Sequence, residues 1–194
     1  MNTTSIPVTV YSEMTPNPES MKFVCDRMML DGNSAEFSSL QDATDCPLAL
    51  ALFDFPFVKG VFIMNNVITL TKDSATEWND VIPTLRQFIK LYLDDLKPVF
   101  NIGFQVKQDG NAPQLDDNEV IGKIKEALDT YVKPAVEMDG GAIQFKSYHE
   151  GIVTLMLKGS CSGCPSSAIT LKSGVEGLLK RIIPEVKEVV AENT

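Results

Sequence analysis

Histidine is all but missing from this chain. His149 is the only one in 194 residues. Any metal site must therefore be built from thiolate, carboxylate or a second chain. Cysteine is sparse as well: Cys25, Cys46, Cys161 and Cys164 are the full set, too few for a disulfide-stapled domain. There is no basic patch. Lys and Arg are scattered singly, 17 against 26 acidic residues, for a net charge of −9 and a pI near 4.6. Such a chain repels nucleic acid and anionic membranes, so neither is expected as a partner. Long hydrophobic runs are absent too. The most apolar stretch, Pro47 to Val58, is too short to cross a bilayer and is broken by Asp54. The opening MNTTSIPVTV has no basic n-region, no apolar h-region and no Arg-rich character, so neither a signal peptide nor a transit peptide is expected. The expected location is the cytoplasm, although a mature organelle protein without its presequence would read the same.

What is present is an ordinary globular composition, 44% hydrophobic with mean hydropathy near zero. The expected fold class is α+β, mixed α/β layers in two small domains, each a small β-sheet packed against helices. The boundaries are 1–97 for the first domain, 98–115 for a linker and 116–194 for the second. The polar, turn-rich KQDGNAPQLDDN marks the linker. In the first block, Pro7 to Tyr11 and Met21 to Val24 read as strands. The two prolines of TPNPES between them favour a turn. Pro47 opens a short helix through Phe53. Val58 to Met64 and Val67 to Leu70 flank Asn65-Asn66, a two-residue hairpin turn. Val81, Leu85, Phe88, Ile89 and Leu93 form one face of a helix over Glu77 to Asp95.

In the second block, Asp116 and Glu119 suggest a capping arrangement. Val120, Ile121, Ile124, Leu128, Tyr131, Val132 and Val136 form a helical stripe, ended by Gly140-Gly141. Ile143 to Tyr148 and Ile152 to Leu157 read as a hairpin around His149-Glu150-Gly151. Ala168, Leu171, Val175, Leu178 and Ile182 mark a second helix, stopped near Pro184. A short strand, Val186 to Val190, closes the chain.

The segment with chemistry in it is GSCSGCPSS, Gly159 to Ser167, between a strand and a helix. Cys161 and Cys164 stand two residues apart and can aim both sulfurs at one metal centre. Ser162 and Gly163 are small, so backbone N–H groups can turn toward the sulfurs. Pro165 suits the first helical position, which puts Cys164 near a helix N-terminus that favours thiolate. The spacing alone leaves a local disulfide or inert thiols equally open. Two thiolates do not complete a zinc site or a 4Fe–4S cube, each of which takes four ligands. A two-fold dimer supplying two plus two cysteines would fill it.

The surrounding sequence narrows the choice. The run DGGAIQFKSYHEGIVTLMLKGSCSGCPSSAITLKSGVEGLLKRIIPEV resembles the NifU C-terminal domain, the core of the Nfu family of iron–sulfur scaffolds and carriers. TPNPESMKF, PLALALF and VKGVFIMNNVITLTK, with the Trp78 helix, resemble the Nfu N-terminal domain. The resemblance implies cluster ligation by Cys161 and Cys164 and a homodimer bridged by the cluster. It also implies non-enzymatic delivery to client apo-proteins, with upstream cluster-assembly proteins as donors. A 4Fe–4S cluster is favoured and a 2Fe–2S cluster is possible. One departure is Ala142, which stands where many relatives carry an acidic residue. The alternatives are a zinc-bridged structural dimer and a thioredoxin-like thiol–disulfide protein, since CxxC at a helix start suits both.

Other residues read more plainly. Cys25 and Cys46 are expected to be buried, chemically silent thiols, and Met28-Met29 core. His149 is expected to be a solvated turn residue. Gly140, Gly141 and Asp139 are expected to serve the helix-to-strand turn, with a role of the glycines near the cluster and metal ligation by Asp139 as the lesser readings. Ser160, Ser162, Ser166 and Ser167 can hydrogen-bond to sulfur, but are expected rather to cap the helix or face solvent.

Overall fold

The computed structural model describes residues 7–106, 119–162 and 165–193, without the side chains of 165–168 and 193. The chain divides into two compact units, Met1–Val106 and Lys107–Thr194, each a sheet covered by helices as the α+β reading requires.

The first unit is a five-stranded antiparallel sheet in the order β1-β2-β5-β4-β3. Its strands are β1 (Val10–Met14), β2 (Ser20–Cys25), β3 (Leu30–Phe37), β4 (Val58–Asn65) and β5 (Val67–Lys72). Asn65 takes the left-handed φ of 52° that the two-residue hairpin between β4 and β5 demands. Helix α1 (Pro47–Phe53) buries Leu48, Ala49 and Leu52, and helix α2 (Trp78–Asp94) buries Leu85, Ile89 and Leu93. They close one core with Phe23, Ile63, Ile68 and Leu70 of the sheet.

Two sequence expectations shift here. The first strand begins at Val10 rather than Pro7, because side chains claim the earlier amides. Val8 N–H donates to Asp94 Oδ1 at 2.6 Å and Thr9 N–H to Asp26 Oδ2 at 3.0 Å. Strand β3 has no counterpart in the sequence reading. It lies at the sheet edge, and a bulge containing Gly32 (φ 65°) breaks its alternation. The TPNPES turn is held from within: Thr15 Oγ1 donates to the Asn17 carbonyl (2.8 Å) and Asn17 Oδ1 accepts from Glu19 N–H (3.0 Å). Trp78 Nε1 donates to the Pro18 carbonyl (2.9 Å), tying the turn to the start of α2. Met29 packs on the core, but Met28 is exposed. Val99, Phe100 and Phe104, read from the sequence as linker, also pack on this core. Residues 107–118, including Asp116, lie outside the described residues.

The second unit holds helix α3 (Glu119–Ala127), a π-helical turn (Leu128–Val132) and helix α4 (Lys133–Met138) in one continuous run. Pro134 accounts for the π turn. Its ring would strike the carbonyl four residues back in a straight helix, and it has no N–H to give. The wider turn also carries Tyr131 out of the predicted apolar stripe, and it is 62% exposed. Strands β6 (Gly141–His149) and β7 (Ile152–Gly159) form the predicted hairpin, with Glu150 and Gly151 both at positive φ. Helix α5 (Pro165–Ile182) then crosses over to β8 (Glu188–Asn193), which runs parallel to β7. Ile124, Leu128 and Val136 meet Ile143, Leu155, Val175 and Leu179 in a second core. Among the described residues, no helix is long and apolar enough to cross a membrane.

Candidate metal centre

Cys161 lies where β7 ends and the chain turns toward α5. The last pair of the β6–β7 ladder is Gly141 opposite Gly159. Gly159 adopts φ 65°, a left-handed conformation that glycine takes without strain. The chain then folds back: Ser162 N–H and Ser162 Oγ both donate to the Gly159 carbonyl, at 3.1 and 2.9 Å. The turn is therefore fixed before any ligand arrives.

Gly141 leaves the space that Cys161 uses. A Cβ built on Gly141 would stand 2.7 Å from Cys161 Sγ, 2.8 Å from the Lys158 carbonyl and 3.2 Å from Cys161 N. The sequence reading gave both glycines to the helix-to-strand turn. That holds for Gly140, at φ 80° with its N–H on the Glu137 carbonyl. Gly141 instead packs directly against the cysteine, and its identity follows from that contact. The pairing of a second glycine with CxxC, read as one unit, was the available sequence signal.

Ser160 departs from expectation too. It neither caps the helix nor faces solvent. It is 2% exposed, and its hydroxyl donates to the Asp139 carbonyl at 2.7 Å. Ser162 turns onto its own loop, as described. The side chains of Ser166 and Ser167 lie outside the described residues.

Cys161 is 8% exposed and not in a disulfide. Burial pushes its thiol up, contact with the Ser160 hydroxyl pulls it down, and the negative charge of Asp139 pushes it further up. Iron or zinc binding would displace this proton, as metal ligation by cysteine requires. An Asp139→Asn substitution removes the opposing charge. Cys161 should then react faster with iodoacetamide at pH 8, followed by peptide mass spectrometry. Cys164 lies outside the described residues. Helix α5 opens at Pro165, the first helical position predicted for it. Its first turn carries no acidic residue, so no side chain of that turn opposes the positive end of the helix dipole.

The other candidate ligands are elsewhere. His149 is exposed at the far end of β6 from Gly141, roughly 25 Å away at the rise of a strand. Cys25 and Cys46 are buried in the first unit, and Cys46 Sγ donates to the Val99 carbonyl at 3.1 Å. Burial raises their pKa values from 9.0 to about 12 and about 11. These thiols favour folding while they stay neutral. Their contribution is complete below pH 9 and is lost as pH rises toward 11–12. The first unit should therefore unfold on alkaline titration, and neither thiol should be alkylated at pH 8, which intact-mass measurement would show. Among the described residues, no three of His, Cys, Asp and Glu gather into a metal-binding group.

Comparison with known proteins finds two family models along the chain. A family model described as "Scaffold protein Nfu/NifU N terminal" matches residues 10–95, and one described as "NifU-like domain" matches residues 124–190. The chain is 40% identical to "NFU1 iron-sulfur cluster scaffold homolog, mitochondrial" of Drosophila willistoni, over 93% of this chain and 62% of that protein. It is 38% identical to the Homo sapiens protein of the same name, over 93% and 70%. It is 34% identical to "NifU-like protein 4, mitochondrial" of Arabidopsis thaliana, over 94% and 65%. The chain thus spans less than two thirds of the Drosophila and Arabidopsis relatives' lengths. With both domain types in order and a relative matched over most of its length, the chain belongs to the Nfu/NifU scaffold-protein family.

Proposed function

We propose that this protein is a non-enzymatic iron–sulfur cluster scaffold or carrier. Cys161 and Cys164 ligate the cluster, and the same pair from a second copy completes four thiolates. The observation that carries this reading is the pre-set turn at Cys161, wedged into the gap at Gly141 and followed by a long helix. A 4Fe–4S cube suits four sulfurs around a two-fold axis better than a 2Fe–2S rhomb, though the same donors could hold either. With four thiolates such a cube is anionic in its oxidised state, and the N-terminal ends of α5 from two copies would offset part of that charge.

Delivery proceeds by ligand exchange. Each incoming client thiolate forms an iron–sulfur bond as a carrier cysteine leaves and takes up a proton, with no change of oxidation state. Upstream assembly proteins load the site and apo-proteins empty it. The exchange needs reduced cysteines on both sides, so the compartment is a reducing one, cytoplasm or organelle matrix.

The test is anaerobic reconstitution with ferrous iron and sulfide, followed by incubation with an apo-ferredoxin. A brown protein that converts the acceptor to its holo form is the expected result. Uptake of zinc alone, without sulfide, would support the zinc-bridged dimer instead. Reduction of insulin disulfides would support the thiol–disulfide reading.

A further inference from the structure

We infer that Ser160 is a positioning residue for Cys161, and that its hydroxyl sets how long the site retains its cluster. This rests on the scaffold reading above.

Ser160 grips the end of α4 at two points. Its backbone N–H donates to the Gly140 carbonyl (3.2 Å), and its hydroxyl donates to the Asp139 carbonyl (2.7 Å). Asp139 is the C-cap residue of α4, and its carbonyl is one of those a helix end leaves without an intrahelical partner. The hydroxyl satisfies it. The ladder continues with Gly141 opposite Gly159, so residues 139, 140 and 141 are laced to residues 159 and 160. Cys161 follows immediately, its Sγ 3.9 Å from the same hydroxyl.

The consequence is a preferred direction for the sulfur: Sγ lies in the space left by Gly141 on one side and beside the Ser160 hydroxyl on another. Alanine at 160 would remove the hydroxyl and with it the side-chain tie between the end of α4 and the residue before Cys161. Threonine keeps the donor. The backbone bond from residue 160 survives both changes, so the unit should still fold.

The experiment uses the full chain with Ser160→Ala, Ser160→Thr and a control, Val153→Ala. Val153 is buried in the same core and away from the turn, so its loss matches a general destabilisation. Two rates are read. One is alkylation of Cys161 in the metal-free protein by iodoacetamide, read by peptide mass spectrometry as the limiting rate of its pH profile, so that a change in thiolate fraction on losing the hydroxyl does not mask a change in access. The other is loss of the reconstituted cluster to a ferrous chelator. Ser160→Ala should raise both rates about fivefold, Ser160→Thr should stay near the parent, and Val153→Ala should leave both unchanged. Rates for Ser160→Ala equal to the parent, or no higher than those of Val153→Ala, would overturn the assignment. If the parent takes up no iron and sulfide, the scaffold reading fails, while the alkylation arm still decides whether Ser160 holds Cys161.

Discussion

Replacing Cys161 and Cys164 together with alanine should abolish iron and sulfide uptake altogether. The chain has four cysteines, and two of them, Cys25 and Cys46, are buried in the first unit. Burial raises their pKa values to about 12 and about 11, so neither is thiolate at neutral pH. The only histidine is exposed at the far end of β6. Among the described residues, no group of three or more His, Cys, Asp and Glu stands as a substitute site. The double variant should stay folded, because Cys161 is a small side chain at the end of a strand rather than the centre of the core. Circular dichroism should match the parent, while iron and acid-labile sulfide after anaerobic reconstitution should fall to background. A full cluster in the double variant would refute the ligand assignment.

The second large effect should come from a single methyl group. Gly141→Ala places a carbon 2.7 Å from Cys161 Sγ and 2.8 Å from the Lys158 carbonyl. The sulfur could rotate away, but the carbonyl is backbone within β7 and can yield only if the β6–β7 ladder shifts. Overpacking of this kind costs about 1–3 kcal/mol. In a unit of this size each kcal/mol lowers the melting midpoint by roughly 4–8 °C. The functional loss should exceed the stability loss, because the displaced group is the proposed ligand itself. Cluster uptake should fall to a small fraction of the parent at temperatures where the variant is still folded. Alanine at Gly174 is the natural comparison, since a Cβ there meets nothing within 4 Å; that variant should load normally. Equal loading by both variants would show that the gap at Gly141 has no part in holding Cys161.

Much of this was legible in the sequence because the relevant signals are local. Asn65-Asn66 announces the β4–β5 hairpin through its need for a left-handed residue, and Pro47 announces α1 because its missing N–H costs nothing there. The apolar spacing of Leu85, Ile89 and Leu93 fixes the buried face of α2. The CxxC pair declares its chemistry by residue type. What escaped depends on partners distant in sequence. Strand β3 pairs only with β4 and contains a bulge, so its own residues show no alternation. Thr9 and Val8 would extend β1 if Asp26 and Asp94 did not take their amides. The parallel course of β8 is settled by the α5 crossover, not by Val186 to Val190 themselves. Ser160 and Gly141 look like generic turn residues until the end of α4 is brought against the end of β7, some twenty positions away.

The most direct measurement is native mass spectrometry of the anaerobically reconstituted full chain, counting subunits, iron and sulfide in one particle. Two chains carrying four irons and four sulfides, falling to metal-free single chains when Cys161 and Cys164 are replaced, is the predicted result. A cluster on a single chain, or a two-chain particle containing zinc and no sulfide, would contradict it.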